Sequence, residues 1–259
     1  MSLSKKEIND VEIALKNALR HKFQNYKPEP ASMPFHTRLL GKDRIALFSF
    51  IHSLNTNFGT SIFEPVAVIL AKNNFKNVNS QVAAGEHISE PAQFIIQKII
   101  DDLTAVNTKP DKIKEIEAIR NVCQKGKMRK VKLTKADIYL RDRGNNLFLI
   151  DLKTVKPNKG GFGEFKRTLL EWAASVLADD AAAKINTLIA IPYNPYEPKP
   201  YSRWTMAGML DLDKELKVAA EFWNFLAGKD CYGDLLDCFE RVGIELRKEI
   251  DDYFKKYGH

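Results

Sequence analysis

Apolar side chains recur every three or four residues over much of the first hundred positions, which is the spacing of amphipathic helices. The clearest stripe runs from Ile8 to Phe23. Ser4 and Glu7 precede it at the spacing of a capping box, so a helix is predicted to begin there. Further helical stretches are predicted to begin near Asp43, Ser61 and Pro91. The first part of the chain is therefore predicted to be mostly helical.

The pattern changes near residue 131. Val131–Leu140 and Asn146–Lys153 read as strands, and the short connector Arg141–Asn145 has the composition of a hairpin turn. A helix is predicted to end near Asp179, and the almost wholly apolar run Ile185–Ile191 is typical of a buried strand. Strand, helix and strand in this order predict a right-handed crossover with parallel pairing.

These elements predict an α/β fold, a central mixed β-sheet with extensive helical additions at both ends of the chain. No linker is long enough to separate independent domains, so 1–259 is expected to form a single domain. Within it we expect a mainly helical part at 1–130, an α/β core at 131–195 and a helical C-terminal part at 196–259. A chain of this length can bury a sizeable core without a disulfide or structural metal.

The formal net charge is +7, which favours a polyanionic partner but serves solubility equally well. No apolar stretch is long enough to cross a bilayer, and the N-terminus lacks the apolar segment of a signal peptide. The cysteines form no CxxC pair, cannot all pair within one chain, and have no cluster of His nearby; they are Cys123, Cys231 and Cys238. We therefore expect no zinc site, and we expect a cytoplasmic location.

The candidate chemistry lies on the predicted hairpin. Residues two apart share a face of a strand, so Asp151 and Lys153 point the same way, and Asp137 lies across the hairpin from them. Two carboxylates brought together repel each other and attract a hard divalent cation such as Mg²⁺. Bound there, the cation polarises a phosphate and helps to generate hydroxide, while Lys153 assists the attacking water.

This triplet alone is a weak signal, because a surface hairpin with an ordinary ion pair has the same residues. Three neighbouring features favour the catalytic interpretation. The strand before Lys153 is strongly apolar, a strand–helix–strand unit follows it, and basic residues flank the hairpin on both sides. A buried carboxylate and ammonium on such a strand are costly unless they are paired or bind a metal.

Ala136–Asp137, a spacer of 13 residues and then Asp151–Leu152–Lys153 resemble the signature of the PD-(D/E)xK nucleases, with Ala136 in place of the proline. The proline has no chemical role, so its absence weakens the resemblance little. The resemblance implies a restriction-endonuclease-like sheet. It also implies that the two aspartates bind Mg²⁺, with Mn²⁺ as a substitute, and that Lys153 assists the nucleophile.

The resemblance extends to most of the chain. Several segments are similar to the TdeIII-type restriction endonucleases: Pro34–Leu40, Ile62–Pro65, Asp151–Asn158 and Tyr232–Leu236. This implies a type II restriction endonuclease that cleaves double-stranded DNA at a short specific site, with GGNCC as the expected sequence. It also implies a homodimer, because cutting both strands needs two active sites. A cognate DNA methyltransferase is the expected genetic partner.

Glu64 is the best further candidate for the site, because many nucleases of this class place a helical Glu beside the metal. The alternative is structural. Ser61 and Glu64 have the spacing of a capping box, and Pro65 suits the first turn of a helix. The sequence favours neither interpretation.

Candidate DNA contacts were chosen among basic and polar side chains near the hairpin or in loops. They are His36, Arg38, Lys130, Lys132, Lys156, Lys159, Lys166, Arg167, Asn194 and Arg203. Each has a structural alternative. Charge runs are usually solvated, Arg167 has the helical spacing to pair with Glu171, a lone His is more often structural, and loop polar groups often anchor the loop.

Two other functions share these features. One is a structure-specific or repair nuclease with the same core. The other is a DNA-binding protein with no catalytic activity. The intact aspartates and lysine argue against the latter, and the long helical flanks favour restriction, because added elements supply dimerisation and base recognition.

Overall fold

The computed structural model describes residues 2–26, 33–153, 161–202 and 204–255. The chain divides into two compact units, one of Met1–Ile69 with Lys229–His259 and the other of Leu70–Gly228. The predicted single domain over 1–259, with its three parts, stays a prediction.

Helices contribute most of the regular structure. In chain order they are α1 (Lys5–Asn25), α2 (Pro34–Leu40), α3 (Lys42–Phe58), α4 (Glu64–Ala71), α5 (Glu90–Thr104), α6 (Lys112–Arg120), α7 (Phe162–Asp179), α8 (Trp204–Ala207), α9 (Leu212–Glu215), α10 (Ala220–Ala227), α11 (Tyr232–Glu245) and α12 (Arg247–Lys255). A π-helical segment, Gly59–Phe63, joins α3 to α4. The strands are β1 (Asn77–Val82), β2 (His87–Ser89), β3 (Met128–Lys130), β4 (Ala136–Arg141), β5 (Asn146–Leu152), β6 (Lys184–Ile191) and β7 (Leu216–Val218).

The first unit is helical. Its α1 begins at the predicted capping box: the side chain of Ser4 accepts the backbone N–H of Glu7, and Oε2 of Glu7 accepts the backbone N–H of Ser4 at 2.7 Å. The apolar stripe of α1 packs against α11. Further along the helix, the ring of Phe23 lies 4.9 Å from that of Tyr253, which is equally close to Phe50. Phe50 is thus the residue through which α3 joins the core of this unit among its described side chains.

The second unit contains a five-stranded sheet in the order β1-β4-β5-β6-β7 and a two-stranded sheet of β2 and β3. β1, β4 and β5 pair antiparallel, whereas β5 pairs with β6, and β6 with β7, in parallel. The mixed α/β sheet, the hairpin and the parallel crossover through α7 are therefore confirmed. At the turn, Asn145 adopts a positive φ of 61°, which asparagine tolerates better than most residues.

The sequence did not predict β1, β2, β3, β7, α2 or α6. β1 has the sequence Asn-Val-Asn-Ser-Gln-Val, which lacks the apolar alternation of a half-buried strand. It lies at the edge of the sheet, where most of its side chains are exposed. Its sequence therefore shows no alternation of apolar and polar residues that would identify a strand. The predicted strand Val131–Leu140 was placed too early, because β4 begins only at Ala136.

The core of the second unit lies between the sheet and α5, α6 and α7. Leu147 and Leu149 of β5 and Trp172 of α7 are almost wholly buried within it. On the opposite face of β5, Phe148 packs against Phe75 and Phe225, with ring centroids 6.0 and 5.2 Å apart. β5 is thus covered on both faces, as its apolar run predicted.

Candidate active site on the central hairpin

The hairpin of β4 and β5 brings Asp137 and Asp151 together. In its ladder Ile138 is paired with Ile150. Asp137 precedes the first of these and Asp151 follows the second, so the two aspartates face each other at the end of the ladder. Both project to the sheet face covered by α7, because they alternate with residues of the opposite face. Their separation by 13 residues in the sequence is thus closed by the hairpin.

Asp137 is fixed by hydrogen bonds to both of its carboxylate oxygens. Oδ2 accepts the backbone N–H of Leu152 at 2.7 Å, and Oδ1 accepts the side-chain amide of Gln81 in β1 at 3.1 Å. Asp137 is half-buried between these two strands. Its orientation is therefore set by both neighbouring strands.

Lys153 directly follows β5 and is held by three contacts. Its backbone N–H donates to the carbonyl of Ala190 in β6 at 2.9 Å. Its Nζ lies 2.9 Å from Oδ1 of Asp151 and 4.8 Å from the centre of the Phe165 ring on α7. The side chain is 29% exposed, so the ammonium is confined near the aspartates yet open to solvent on one side. An aromatic face attracts a cation at this range.

Asp151 has an environment that favours its protonated form. Burial raises its pKa to about 6; the neighbouring Lys153 opposes this shift, and the nearby carboxylate of Asp137 adds to it. Among the described residues, Lys153 is the ammonium in contact with this pair, and the three groups together carry an excess of negative charge in a partly desolvated place. Divalent cations bind where such carboxylate pairs can be shared with water and phosphate oxygens.

The donor set fits Mg²⁺ rather than a softer metal. It consists of carboxylate oxygens, with no thiolate or imidazole in contact in the described part of the chain. Among those residues, no group of three or more His, Cys, Asp or Glu side chains is arranged to hold a metal. Two carboxylates suit Mg²⁺, which keeps several waters and accepts phosphate oxygens as further ligands.

Glu64 lies in the first unit, at the first position of α4, and its side chain is only 4% exposed. It follows the π-helical segment directly, and the helix continues through that segment from α3. Ser61 therefore lies inside a helical stretch and is not an N-cap, so the capping-box alternative is wrong. The metal-binding role of Glu64 stays a prediction.

Lys166 requires a correction. It was a candidate DNA contact, but its side chain has no exposed surface. Its Nζ lies 2.5 Å from Oε2 of Glu115 and 2.6 Å from Oε2 of Glu215, and Lys112 lies 2.9 Å from the same Glu215. An ammonium enclosed by two carboxylates cannot reach a DNA phosphate. Position in the helix after the loop suggested DNA contact, but Lys166 lies on the buried side of α7.

Arg167, the next residue, is half-buried and differently placed. Its Nη2 donates to the side-chain oxygen of Gln97 on α5 at 2.8 Å. Burial raises the pKa of Glu171, and Arg167 opposes that shift, so the two are also within electrostatic range. The predicted helical pair is thus present as an electrostatic interaction, and contact of Arg167 with DNA stays a prediction.

The other candidate DNA contacts are scattered. Lys130 in β3 and Lys132 after it are exposed, as are His36 and Arg38 on α2, which lies in the first unit. Asn194 anchors its own loop, because its amide donates to the carbonyl of Lys199 at 2.8 Å and its oxygen accepts the N–H of Tyr196 at 2.9 Å. The remaining candidates, Lys156, Lys159 and Arg203, lie outside the described residues.

Gln81 and Phe165 are site residues that sequence reasoning missed. Phe165 lies on a separate element from Lys153, and only the pairing of β5 with β6 and the packing of α7 on the sheet bring the two together. Gln81 gave no signal, because β1 was not recognised as a strand. Both contacts depend on tertiary structure and not on local spacing.

A mixed sheet wrapped by helices, with two aspartates and a lysine at the end of its central hairpin, defines a nuclease of the restriction-endonuclease-like class. Residues 3–243 match the family described as "Type II restriction endonuclease, HinfI". This is nearly the whole chain, and the protein therefore belongs to that family. The predicted class, a type II site-specific deoxyribonuclease, is confirmed.

Curated relatives agree with this assignment. The chain is 29% identical to the type II restriction enzyme MjaII of Methanocaldococcus jannaschii, over 99% of this chain and 76% of the relative. It is 22% identical to HgiCII and 23% identical to HgiEI, both type II restriction enzymes of Herpetosiphon aurantiacus. Each of these two alignments covers 84% of this chain, with 80% of HgiCII and 79% of HgiEI.

Among the helices that the structure describes, none combines the length and apolar character needed to cross a membrane.

Proposed function

We propose that this restriction endonuclease hydrolyses phosphodiester bonds of double-stranded DNA with Mg²⁺ as cofactor, and that Asp137, Asp151 and Lys153 form its catalytic centre. One observation carries the proposal: two carboxylates and an ammonium meet at the end of the central hairpin, with Nζ of Lys153 2.9 Å from Oδ1 of Asp151. Family membership supports cleavage of DNA as the reaction.

Asp137 and Asp151 would hold Mg²⁺, with Mn²⁺ able to substitute; a metal-binding role of Glu64 is a proposal from the sequence alone. Glu64 is buried and follows a π-helical segment, a feature that is frequent at functional sites. When bound, the cation polarises the scissile phosphate and lowers the pKa of the attacking water. Each carboxylate oxygen of Asp137 has lone pairs beyond the one that accepts from Gln81 or Leu152.

Lys153 would orient the attacking water and stabilise the negative charge that develops on the phosphate. Its Nζ can donate up to three hydrogen bonds and is held between Asp151 and the Phe165 ring. Such preorganised charge lowers the barrier because it needs no rearrangement during the reaction. As one P–O bond forms from water, the P–O bond to the leaving nucleotide breaks, and Lys153 offsets the charge in between.

Contacts with the DNA backbone are proposed for Lys130, Lys132 and Arg167 of the second unit, and for His36 and Arg38 of the first. The exposed lysines before β4 favour phosphate contact because they lie in the same short stretch of chain as Asp137. Lys156, Lys159 and Arg203 remain sequence-based proposals. Asn194 is a weaker one, since both ends of its amide serve the loop.

The recognition sequence proposed from the resemblance is GGNCC. Its test is direct: plasmid DNA is digested with Mg²⁺ and the fragment ends are sequenced. Ends that share GGNCC support the proposal, whereas another common sequence would retain site-specific cleavage and overturn this specificity.

We further propose that the enzyme acts as a cytoplasmic homodimer encoded beside a DNA methyltransferase that protects the host site. A dimer supplies two active sites for two strands. Analytical ultracentrifugation with a specific duplex tests the dimer, which should bind with two chains per duplex.

The same digestion distinguishes the alternative functions. Cleavage confined to junctions or damaged DNA would indicate a structure-specific or repair nuclease. Tight binding without cleavage in either Mg²⁺ or Mn²⁺ would indicate a DNA-binding protein that has lost its catalytic activity. Discrete fragments from an undamaged plasmid are the result that we expect.

A further inference from the structure

Gln81 makes the one side-chain hydrogen bond to Asp137 seen among the described residues of β1. Its Nε2 donates to Oδ1 of Asp137 at 3.1 Å. The other oxygen of Asp137 is held by the backbone N–H of Leu152 at 2.7 Å. The Asp137 carboxylate therefore accepts a side-chain hydrogen bond from β1 and a backbone hydrogen bond from β5. Without the β1 contact, Asp137 would be held at one carboxylate oxygen only, by the backbone N–H of Leu152.

The backbone at Gln81 is also unusual. Its φ is +56°, in the left-handed region that side chains other than glycine rarely adopt. In the β1–β4 ladder Ser80 is paired with Ile138 and Val82 with Ala136, so the irregular residue lies opposite Asp137. Glycine takes this conformation at less cost, by about 1 kcal/mol or more. A glutamine at this position therefore indicates that its side chain has a use.

The chemistry of the amide suits the contact. A primary amide donates a hydrogen bond without carrying charge, so it orients a carboxylate without neutralising it. A lysine or arginine here would compete with a cation for the carboxylate. Residues that orient metal ligands in this way typically contribute about 10–100-fold to metal affinity or activity.

We propose that Gln81 is a positioning residue that holds the Asp137 carboxylate in the orientation required to bind the divalent cation. The inference rests on the proposed metal-dependent function. It concerns how the carboxylate is held and assigns Gln81 no contact with DNA or with the reacting atoms.

The test measures Mn²⁺ binding to the full-length protein in the absence of DNA, with electron paramagnetic resonance as the readout. Gln81→Ala removes the amide, and Gln81→Gly removes it while relieving the backbone. We expect both variants to bind Mn²⁺ about 10-fold more weakly than the unmodified enzyme. Asn79→Ala, a change on the same strand, is the matched control and should bind normally. Normal Mn²⁺ binding by both Gln81 variants would overturn the proposal. Weakened binding by Gln81→Ala alone would also overturn it, because the strained backbone and not the missing amide would then be the cause.

A second readout separates positioning from a structural role. For Gln81→Gly, the Mg²⁺ concentration that gives half-maximal plasmid cleavage should rise about 10-fold, and the rate at saturating Mg²⁺ should return to within several-fold of normal. A lower saturating rate with unchanged half-saturation contradicts the proposal. Should Gln81→Ala fail to fold, as judged by circular dichroism, the glycine variant still provides the measurement.

The failure of the inference can be told from failure of the metal centre itself. Asp137→Ala is the reference: it should abolish Mn²⁺ binding that the unmodified enzyme shows. An unmodified enzyme with no saturable binding would refute the metal centre and the inference together. Binding that depends on Asp137 but not on Gln81 would refute the inference only.

Discussion

The ammonium of Lys153 lies 2.9 Å from a carboxylate oxygen of Asp151, and that carboxylate faces Asp137 across the hairpin. Among the described residues, one ammonium therefore lies beside two carboxylates in a partly buried place. These three groups by themselves carry an excess of negative charge. A divalent cation would correct the imbalance, so we expect the site to be a source of instability when no cation is bound.

The pH dependence of stability should reveal this imbalance. Burial, with Asp137, raises the pKa of Asp151 to about 6 from an ordinary value of 3.8. The folded state then binds more protons than the unfolded state between these values, so the stabilising contribution of the protonated group is lost as pH rises through 6. In metal-free buffer at pH 8, Asp151→Asn should stabilise the protein by roughly 1–3 kcal/mol. This gain is reduced by the loss of the ion pair between Lys153 and the Asp151 carboxylate. Urea unfolding at pH 8 and pH 5 measures this, and the gain should shrink at pH 5.

Asp142 at the hairpin turn provides a control of opposite sign. Hydrogen bonds from Asn146 hold its pKa below the usual value. Its stabilising contribution is present above the unfolded pKa and is lost as pH falls, so Asp142→Asn should destabilise the protein at pH 8. A gain in stability from this variant, or an Asp151→Asn effect that is independent of pH, would contradict the electrostatic account.

The buried ion-pair network around Glu215 should be important for stability. Burial pushes the pKa of Glu215 upward, but Lys112 and Lys166 overcome this and hold it below its usual value. Glu215→Ala would leave both ammonium groups without this carboxylate, and we expect a loss of about 3–5 kcal/mol in urea unfolding at pH 7.5. The exposed pair of Lys114 with Asp111 is the control, since Lys114→Ala should cost far less than Glu215→Ala. Equal effects of the two changes would show that the network contributes little.

The contact of Lys153 with Phe165 should affect turnover more than DNA binding. Phe165→Leu keeps an apolar side chain but removes the aromatic face that lies 4.8 Å from the ammonium. An exposed cation–π contact is worth about 0.5–1 kcal/mol, so single-turnover cleavage should slow by about 2–5-fold. The affinity for a specific duplex, measured by fluorescence anisotropy in Ca²⁺, should not change. A large loss of affinity with a normal rate would assign Phe165 to DNA binding.

The exposed lysines before β4 can be tested through salt dependence. If Lys130 and Lys132 neutralise phosphates, each alanine substitution should reduce the slope of log affinity against log salt concentration by about 1. Lys5→Ala, at an exposed position on α1, is the control and should leave the slope unchanged. Unchanged slopes for the first two variants would mean that these lysines are merely solvated.

The sequence predicted the part of the fold in which periodicity and burial coincide. β5 and β6 are buried on both faces, so their apolar runs identified them, and the hairpin composition identified the turn at Asn145. β1 escaped because an edge strand with exposed polar side chains leaves no such pattern. The mistake at Lys166 has a different cause: a charged residue was assumed to be exposed, and only the packing of Glu115 and Glu215 around α7 makes its burial tolerable.

The juxtaposition of Asp137, Asp151 and Lys153 was predictable, because two of these residues lie two positions apart on one strand and the third lies across one hairpin. Gln81 was not, because its contact with Asp137 spans 56 positions and depends on strand pairing. Spacing thus identified the aspartates and the lysine, whereas the group that orients Asp137 required the sheet register.

The central claim is tested most directly by single-turnover cleavage of a plasmid in Mg²⁺ by Asp151→Ala, with duplex binding measured in parallel. The account predicts that cleavage becomes undetectable while the affinity for DNA stays within several-fold of that of the unmodified enzyme. Cleavage by this variant at the normal rate would contradict the assignment of Asp137, Asp151 and Lys153 as the catalytic centre.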